Sequence, residues 1–152
     1  MQENEQEELY LSVYVSAEQA EIAKEIDEYI ETKLGHEVIA AKPAPANAPV
    51  SIEQLEQDTE DCSFAVIVMA GTTASSREQL LHEIGYCQGT FGYQNVLVLR
   101  PDNVPAFANM TGVMYEVFSG ENIRAAFPRI RTEIDAAIER FLSDDDDEVD
   151  ED

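Results

Sequence analysis

Apolar and polar positions alternate along this chain in two distinct rhythms. Tyr10 to Val15 (YLSVYV) is short, β-branched and aromatic, the composition of a strand, and Ser16-Ala17-Glu18-Gln19 behind it has the spacing of a capping box that opens a helix. Ala20, Ile22, Ala23, Ile26, Ile30 and Leu34 then fall three and four apart, which predicts a helix stopped by Gly35. His36 to Ala41 reads as a second strand. The connector from Lys42 to Val50 holds Pro43, Pro45 and Pro49 and is too stiff and donor-poor for regular structure. Ser51 and Gln54 cap a short helix carrying Ile52 and Leu55 that ends near Asp61. Phe64 to Ala70 is the most continuously apolar stretch, the signature of a central strand covered on both faces.

A small polar loop from Gly71 to Ser76 follows, then a helix from Arg77 to about Thr90. Asn95 to Leu99 predicts a fourth strand stopped by Pro101, and Val113 to Phe118 a fifth. The last helix is expected from about Gly120 to Phe141, on a stripe of Ile123, Phe127, Ile130, Ile134, Ile138 and Phe141. Five strands alternating with helices or loops predict a three-layer α/β sandwich of the flavodoxin-like kind, with a five-stranded parallel sheet in the order 2-1-3-4-5. The ligand crevice of such a sheet lies beyond the carboxyl ends of strands 1 and 3, where the strand order reverses. Ser16, the 42–50 connector and the 71–77 loop are expected around it.

Charge changes the picture at both ends. The 152 residues hold 9 Lys plus Arg against 32 Asp plus Glu, a net charge of −23. Much of the excess sits in Glu3, Glu5, Glu7 and Glu8 and in the run from Asp144 to Asp152, so residues 1–8 and 143–152 read as disordered acidic arms around a domain spanning 9–142. About −11 remains on the body, which resembles the lysine-poor surfaces of salt-loving archaea. The acidic tail is either simply solvated or a contact for a basic partner. This field argues against nucleic acid and anionic membranes as partners. No apolar run is long enough for a membrane span and no leader pattern opens the chain, so the expected compartment is the cytoplasm, with Cys62 and Cys87 as free thiols.

Candidate chemistry centres on Ser76-Arg-Glu-Gln-Leu-Leu-His-Glu-Ile-Gly-Tyr-Cys. At about 100° per residue, Leu80, Ile84, Cys87 and Phe91 share the core face of that helix. Glu83 lies on its flank beside Ser76 and Gln79, and His82 points to water. A carboxylate there is either an ordinary boundary residue or a semi-buried functional acid. Ser16 is either a plain N-cap or a donor to phosphates, and Arg77 either bridges a surface acid or pairs with a phosphate. Cys87 reads as a packed hydrophobe. The two histidines lie in different elements and the cysteines lack ligand spacing, so no metal is expected.

Arg77-x-Gln79-x-x-x-Glu83-x-Gly85-x-x-Gln88-Gly89-x-x-Gly92, then Val96 to Leu99 and Phe107-Ala-Asn109-Met-Thr-Gly112, resembles the TIR-like domain of prokaryotic nucleotide-binding proteins. Relatives in that group serve as anti-phage effector modules. Gln79 stands where many members have Asn, and the connector after strand 2 is Pro- and Ala-rich instead of Gly-rich. The resemblance implies a TIR-like fold, self-association into homo-oligomers, NAD⁺ as substrate with no further cofactor, and Glu83 as the catalytic residue of NAD⁺ cleavage. Ser16, Ser76, Arg77 and Gln79 are then the candidates to bind the nucleotide. The chain shows no fused sensor, so activation is expected from a separate protein or from ligand-driven assembly. Two alternatives stand beside this reading: an enzyme resembling nucleoside 2-deoxyribosyltransferases, and a nucleotide-binding assembly module without turnover.

Overall fold

The computed structural model describes residues 11–41, 52–69, 74–105, 113–119 and 122–150, excepting the side chains of 74–77 and 144–150. Its strands are β1 (Ser12–Ser16), β2 (Glu37–Ala40), β3 (Phe64–Val68), β4 (Val96–Pro101) and β5 (Tyr115–Phe118). They form one sheet in the order β2-β1-β3-β4-β5, and every pairing is parallel. The strand order expected from the pattern is the one observed. The helices are α1 (Ala20–Glu28), α2 (Ile52–Thr59), α3 (Ala74–Phe91) and α4 (Phe127–Asp150).

Strand periodicity sorts the interior into two layers. Val13, Val15, Phe64, Val66, Val68, Leu97 and Leu99 meet Ile26 and Ile30 from the first helix and Ile130 and Ile134 from α4. Tyr14, Ala65, Ile67, Met69, Val96 and Val98 point the other way, against Leu55 from α2 and Leu80, Ile84 and Cys87 from α3. All five residues of β3 are buried, as its unbroken apolar run requires of a strand covered on both faces. Tyr29 stacks on Phe127 with centroids 4.1 Å apart, a contact worth about 1 kcal/mol that ties the first helix to α4.

Local differences from the expected spans have local causes. Ser16 belongs to β1, in register with Ile67, and does not cap α1. The helix starts later, with Gln19 in the cap position and no side-chain bond there. α1 continues as a π-helical stretch, Tyr29–Leu34, and ends at Gly35, whose φ of 77° suits a residue without a Cβ. The buried His36 behind it accepts the Leu11 N–H at Nδ1 over 3.0 Å, joining the start of β1 to β2.

Pro101 is the last residue of β4 instead of its stop, because a strand end needs no further ladder donor. α3 begins at Ala74, ahead of the expected Arg77. The final helix opens with a 3₁₀ turn, Ile123–Ala126, and its α-helical backbone runs on to Asp150, beyond Phe141 and into the acidic run that reads as an arm. Propagating a formed helix adds a hydrogen bond per residue, so the backbone outlasts its apolar stripe. Residues 1–8, the 42–50 connector, Ser51 and the Phe107 to Gly112 segment lie outside the described residues.

Candidate active site

β1 carries Tyr14 and Ser16 two residues apart, so both side chains leave the sheet on the α2 and α3 side at its carboxyl end. α3 crosses that face with its apolar stripe inward: Leu80, Ile84 and Cys87 are buried as the helical spacing predicts. Glu83 is carried in with them and is only 7% exposed, more deeply set than a flank position implies. Its neighbour His82 faces solvent, as expected.

Burying a carboxylate is costly unless its oxygens are hydrogen-bonded. Ser16 Oγ donates to Glu83 Oε1 over 2.5 Å, and the buried Tyr14 stands two residues before Ser16 on the same face of β1. Among the described residues Glu83 has no ion pair, so the Ser16 hydroxyl does the work a cation would otherwise do. Burial pushes the Glu83 pKa up; the Ser16 hydrogen bond pulls it back, the nearby charge of Asp58 raises it, and the nearby Tyr14 hydroxyl lowers it. Burial first, and then the charges of Glu83, Cys87 and Asp58, drive the Tyr14 phenol far above its ordinary value, so it remains a donor. Cys87 is fully buried, with its thiol pushed up to about 12 by burial and then by Glu83, as a packed hydrophobe should be.

The result is a buried carboxyl at the end of β1, beside the β1–β3 junction where the strand order reverses. Of the residues expected to surround the ligand, Ser16 and Glu83 are in direct contact. Gln79 lies half-buried on α3. Ser76 and Arg77 belong to the first turn of α3, but their side chains lie outside the described set. Among the described residues no group of three or more His, Cys, Asp and Glu side chains is placed to hold a metal ion. A groove of about 490 Å³ lined by Tyr29, Lys33, Arg124, Phe127 and others lies between the first helix and α4, on the opposite side of the sheet from Glu83.

A family model for the TIR domain of CAP12/Pycsar effector proteins matches residues 13–120, from β1 through β5. The chain belongs to that family. It is thus a TIR-like defence effector module. A protein of Escherichia coli K12 named YuaY and described as uncharacterized is 30% identical over 95 residues, covering 55% of this chain and 32% of that protein. This chain matches about a third of that relative's length. Constitutive lysine decarboxylase from E. coli contains a similar fold, with a TM-score of 0.54 and 10% identity over 86% of this chain and 18% of the enzyme. At that identity the likeness is one of fold alone. No helix among the described residues is long and apolar enough to cross a membrane.

Within the TIR domain, Tyr14 is the site residue that sequence reasoning missed. Its signal was available: Tyr14 and Ser16 are the polar-tipped members of a two-residue period, on the same strand as Val13 and Val15.

Proposed function

We propose that this TIR domain cleaves the glycosidic bond between nicotinamide and ribose in NAD⁺, with Glu83 as the catalytic carboxylate. The observation that carries this reading is the burial of Glu83 at the carboxyl end of β1, held by the Ser16 hydroxyl instead of a cation. A carboxylate so placed has its charge available to a positively charged ligand.

The chemistry suits a lone carboxylate. Nicotinamide in NAD⁺ is already a cationic leaving group, so no strong acid is needed. The bond between ribose C1′ and the ring nitrogen breaks with both electrons going to nitrogen, and nicotinamide leaves neutral. The oxocarbenium-like ribose is met by the Glu83 anion until water bonds to C1′ and loses a proton, giving an ADP-ribose product. Ser16, Ser76, Arg77 and Gln79 are the candidates to hold the rest of the nucleotide. Family membership supports assembly into homo-oligomers, under the control of a separate activator or of the ligand.

The test is nicotinamide release from NAD⁺ by the purified full chain, at low and molar KCl, with Glu83→Gln and His82→Gln alongside. Wild type and His82→Gln should release nicotinamide, whereas Glu83→Gln should lose orders of magnitude of turnover while staying folded. Activity retained in Glu83→Gln would sink the assignment. A wild type that transfers the ribosyl group to a nucleobase instead of water would favour the transferase reading.

A further inference from the structure

Leu11 leads into β1 from the core, and its backbone N–H donates to Nδ1 of the buried His36 over 3.0 Å. An amide N–H can only donate. The ring nitrogen opposite it must therefore be an acceptor, and imidazole has an acceptor only when neutral, here with its proton on Nε2. His36 is also fixed through its backbone. Its N–H bonds to the Ile30 carbonyl over 3.1 Å, and the N–H of Glu37 bonds back to the Leu11 carbonyl over 3.0 Å. One residue thus joins the end of the first helix, the start of β2 and the approach to β1. Protonation reverses the side-chain contact: a proton on Nδ1 sets donor against donor and leaves the Leu11 N–H buried with nothing to bond.

We propose that His36 is an acid-sensitive latch: its neutral imidazole holds the amino end of β1 to β2 and the helix behind it, and protonation lets that end go. Burial disfavours the charged ring and lowers the His36 pKa, while the charge of Asp135 from α4 works the other way. Asp135 is 62% exposed and so acts through solvent. Glu37, next in the chain, is engaged by Ser12, whose hydroxyl donates to its Oε1 over 2.7 Å. Lys33 in the π-helical stretch is exposed, and Cys62 and Asp61, ahead of β3, lie near Glu37. Leu11, Ser12 and Val13 bring no titratable side chain to this end of β1.

With the latch open, His36 regains its ordinary value of 6.5, so opening is favoured as pH falls from 6.5 toward the lower folded value and is level above it. The release stays local. Beyond Leu11 the strand is paired to β2 from Ser12 and to β3 from Val13, and Ser16 with Glu83 stands at its other end. The latch is independent of the NAD⁺-cleaving reading.

The experiment follows the Leu11 amide by hydrogen exchange and the His36 ring nitrogens by ¹⁵N NMR between pH 8 and pH 4, in the full chain. The ring should be neutral with its proton on Nε2 at neutral pH, and its midpoint should lie below 6.5. Once corrected for intrinsic exchange, opening at Leu11 should rise by up to about tenfold per pH unit below 6.5, the effect of one proton, while Val15 stays level. Asp27 and Glu83 titrate with the opposite sign and stabilise the fold as pH falls, so they cannot produce this loosening. In His36→Asn an amide oxygen that does not titrate replaces Nδ1, and Leu11 should stay protected at every pH; His82→Gln should behave as wild type. A ring protonated on Nδ1 at neutral pH, a midpoint at or above 6.5, or Leu11 opening that ignores pH overturns the proposal, and the wild type alone decides these if His36→Asn does not fold. A folded His36→Asn that keeps the wild-type pH dependence overturns it as well.

Discussion

Ser16 Oγ and Glu83 Oε1 meet at 2.5 Å although the residues are 67 positions apart, so a strand end and a mid-helix residue share one buried contact. A hydroxyl committed to that contact is withdrawn from the helix that follows. The helix that follows begins later, with Gln19 in the cap position and no side-chain bond there.

Glu83→Gln should stabilise the domain while removing its activity. Because the native state raises the Glu83 pKa, the folded chain binds more protons than the unfolded one above the ordinary carboxylate pKa, and stability falls as pH rises through that window. An amide of the same size keeps hydrogen bonding without the buried charge, a gain of about 1 kcal/mol at pH 7. Thermal unfolding at pH 7 should show it, and the gain should shrink toward pH 4.

Asp27 offers a second case with the same sign. Burial, and then Glu31 and Glu28, raise its pKa from 3.8 to about 6, and its Oδ1 is buried without a hydrogen-bond partner among the described residues. Its contribution to stability is therefore greatest below pH 4 and is lost as pH rises through 6. Asp27→Asn should raise stability by about 1 kcal/mol at pH 7 and have little effect at pH 4, as urea unfolding at the two pH values would reveal.

Both thiols should be inert in the native state. Cys62 and Cys87 are buried and free, each with its pKa pushed up to about 12, chiefly by burial. A thiol reagent at pH 8 should label neither until denaturant is added, and Cys87→Ser should leave nicotinamide release intact.

Arg129 joins β5 to α4, its Nη1 2.8 Å from Glu116 and its Nε 2.8 Å from Glu133. Arg129→Ala should cost about 1 kcal/mol, at the upper end for a partly exposed pair. Amide exchange should quicken first in β5, the edge strand at that end of the sheet.

Salt should act on the whole molecule in one direction. With −23 on the chain and few cations to offset it, screening relieves self-repulsion, and the melting temperature should climb between low and molar KCl. An unchanged melting temperature would remove the salt-loving interpretation of the surface.

Strand order was legible in the alternation of strands with helices, and the two-layered core in the periodicity of the strands. Phe64 to Val68 has to be central, since a strand apolar at every position needs cover on both sides. Element ends were less legible. Ser16 satisfies a capping pattern, but its hydroxyl is drawn to an acceptor on α3 that no local rule sees. Glu83 was visible as a face position, whereas its depth depends on how closely α3 lies on β1 and β3, a tertiary quantity. Tyr14 shows its polar tip in the alternation of β1, but a tyrosine within a strand reads as packing until the facing helix is placed.

The order of the sheet also bears on how the chain is made. β1 precedes β2 and β3 in the sequence yet sits between them, and the layer holding Val13, Val15, Phe64, Val66, Leu97 and Leu99 is closed by Ile130 and Ile134 of α4, which follows all five strands. A nascent chain emerging from the ribosome therefore carries an apolar layer covered only by the first helix until α4 is out. Pulsed proteolysis of stalled chains should find protection arriving in a single late step, when α4 clears the exit tunnel, and not strand by strand.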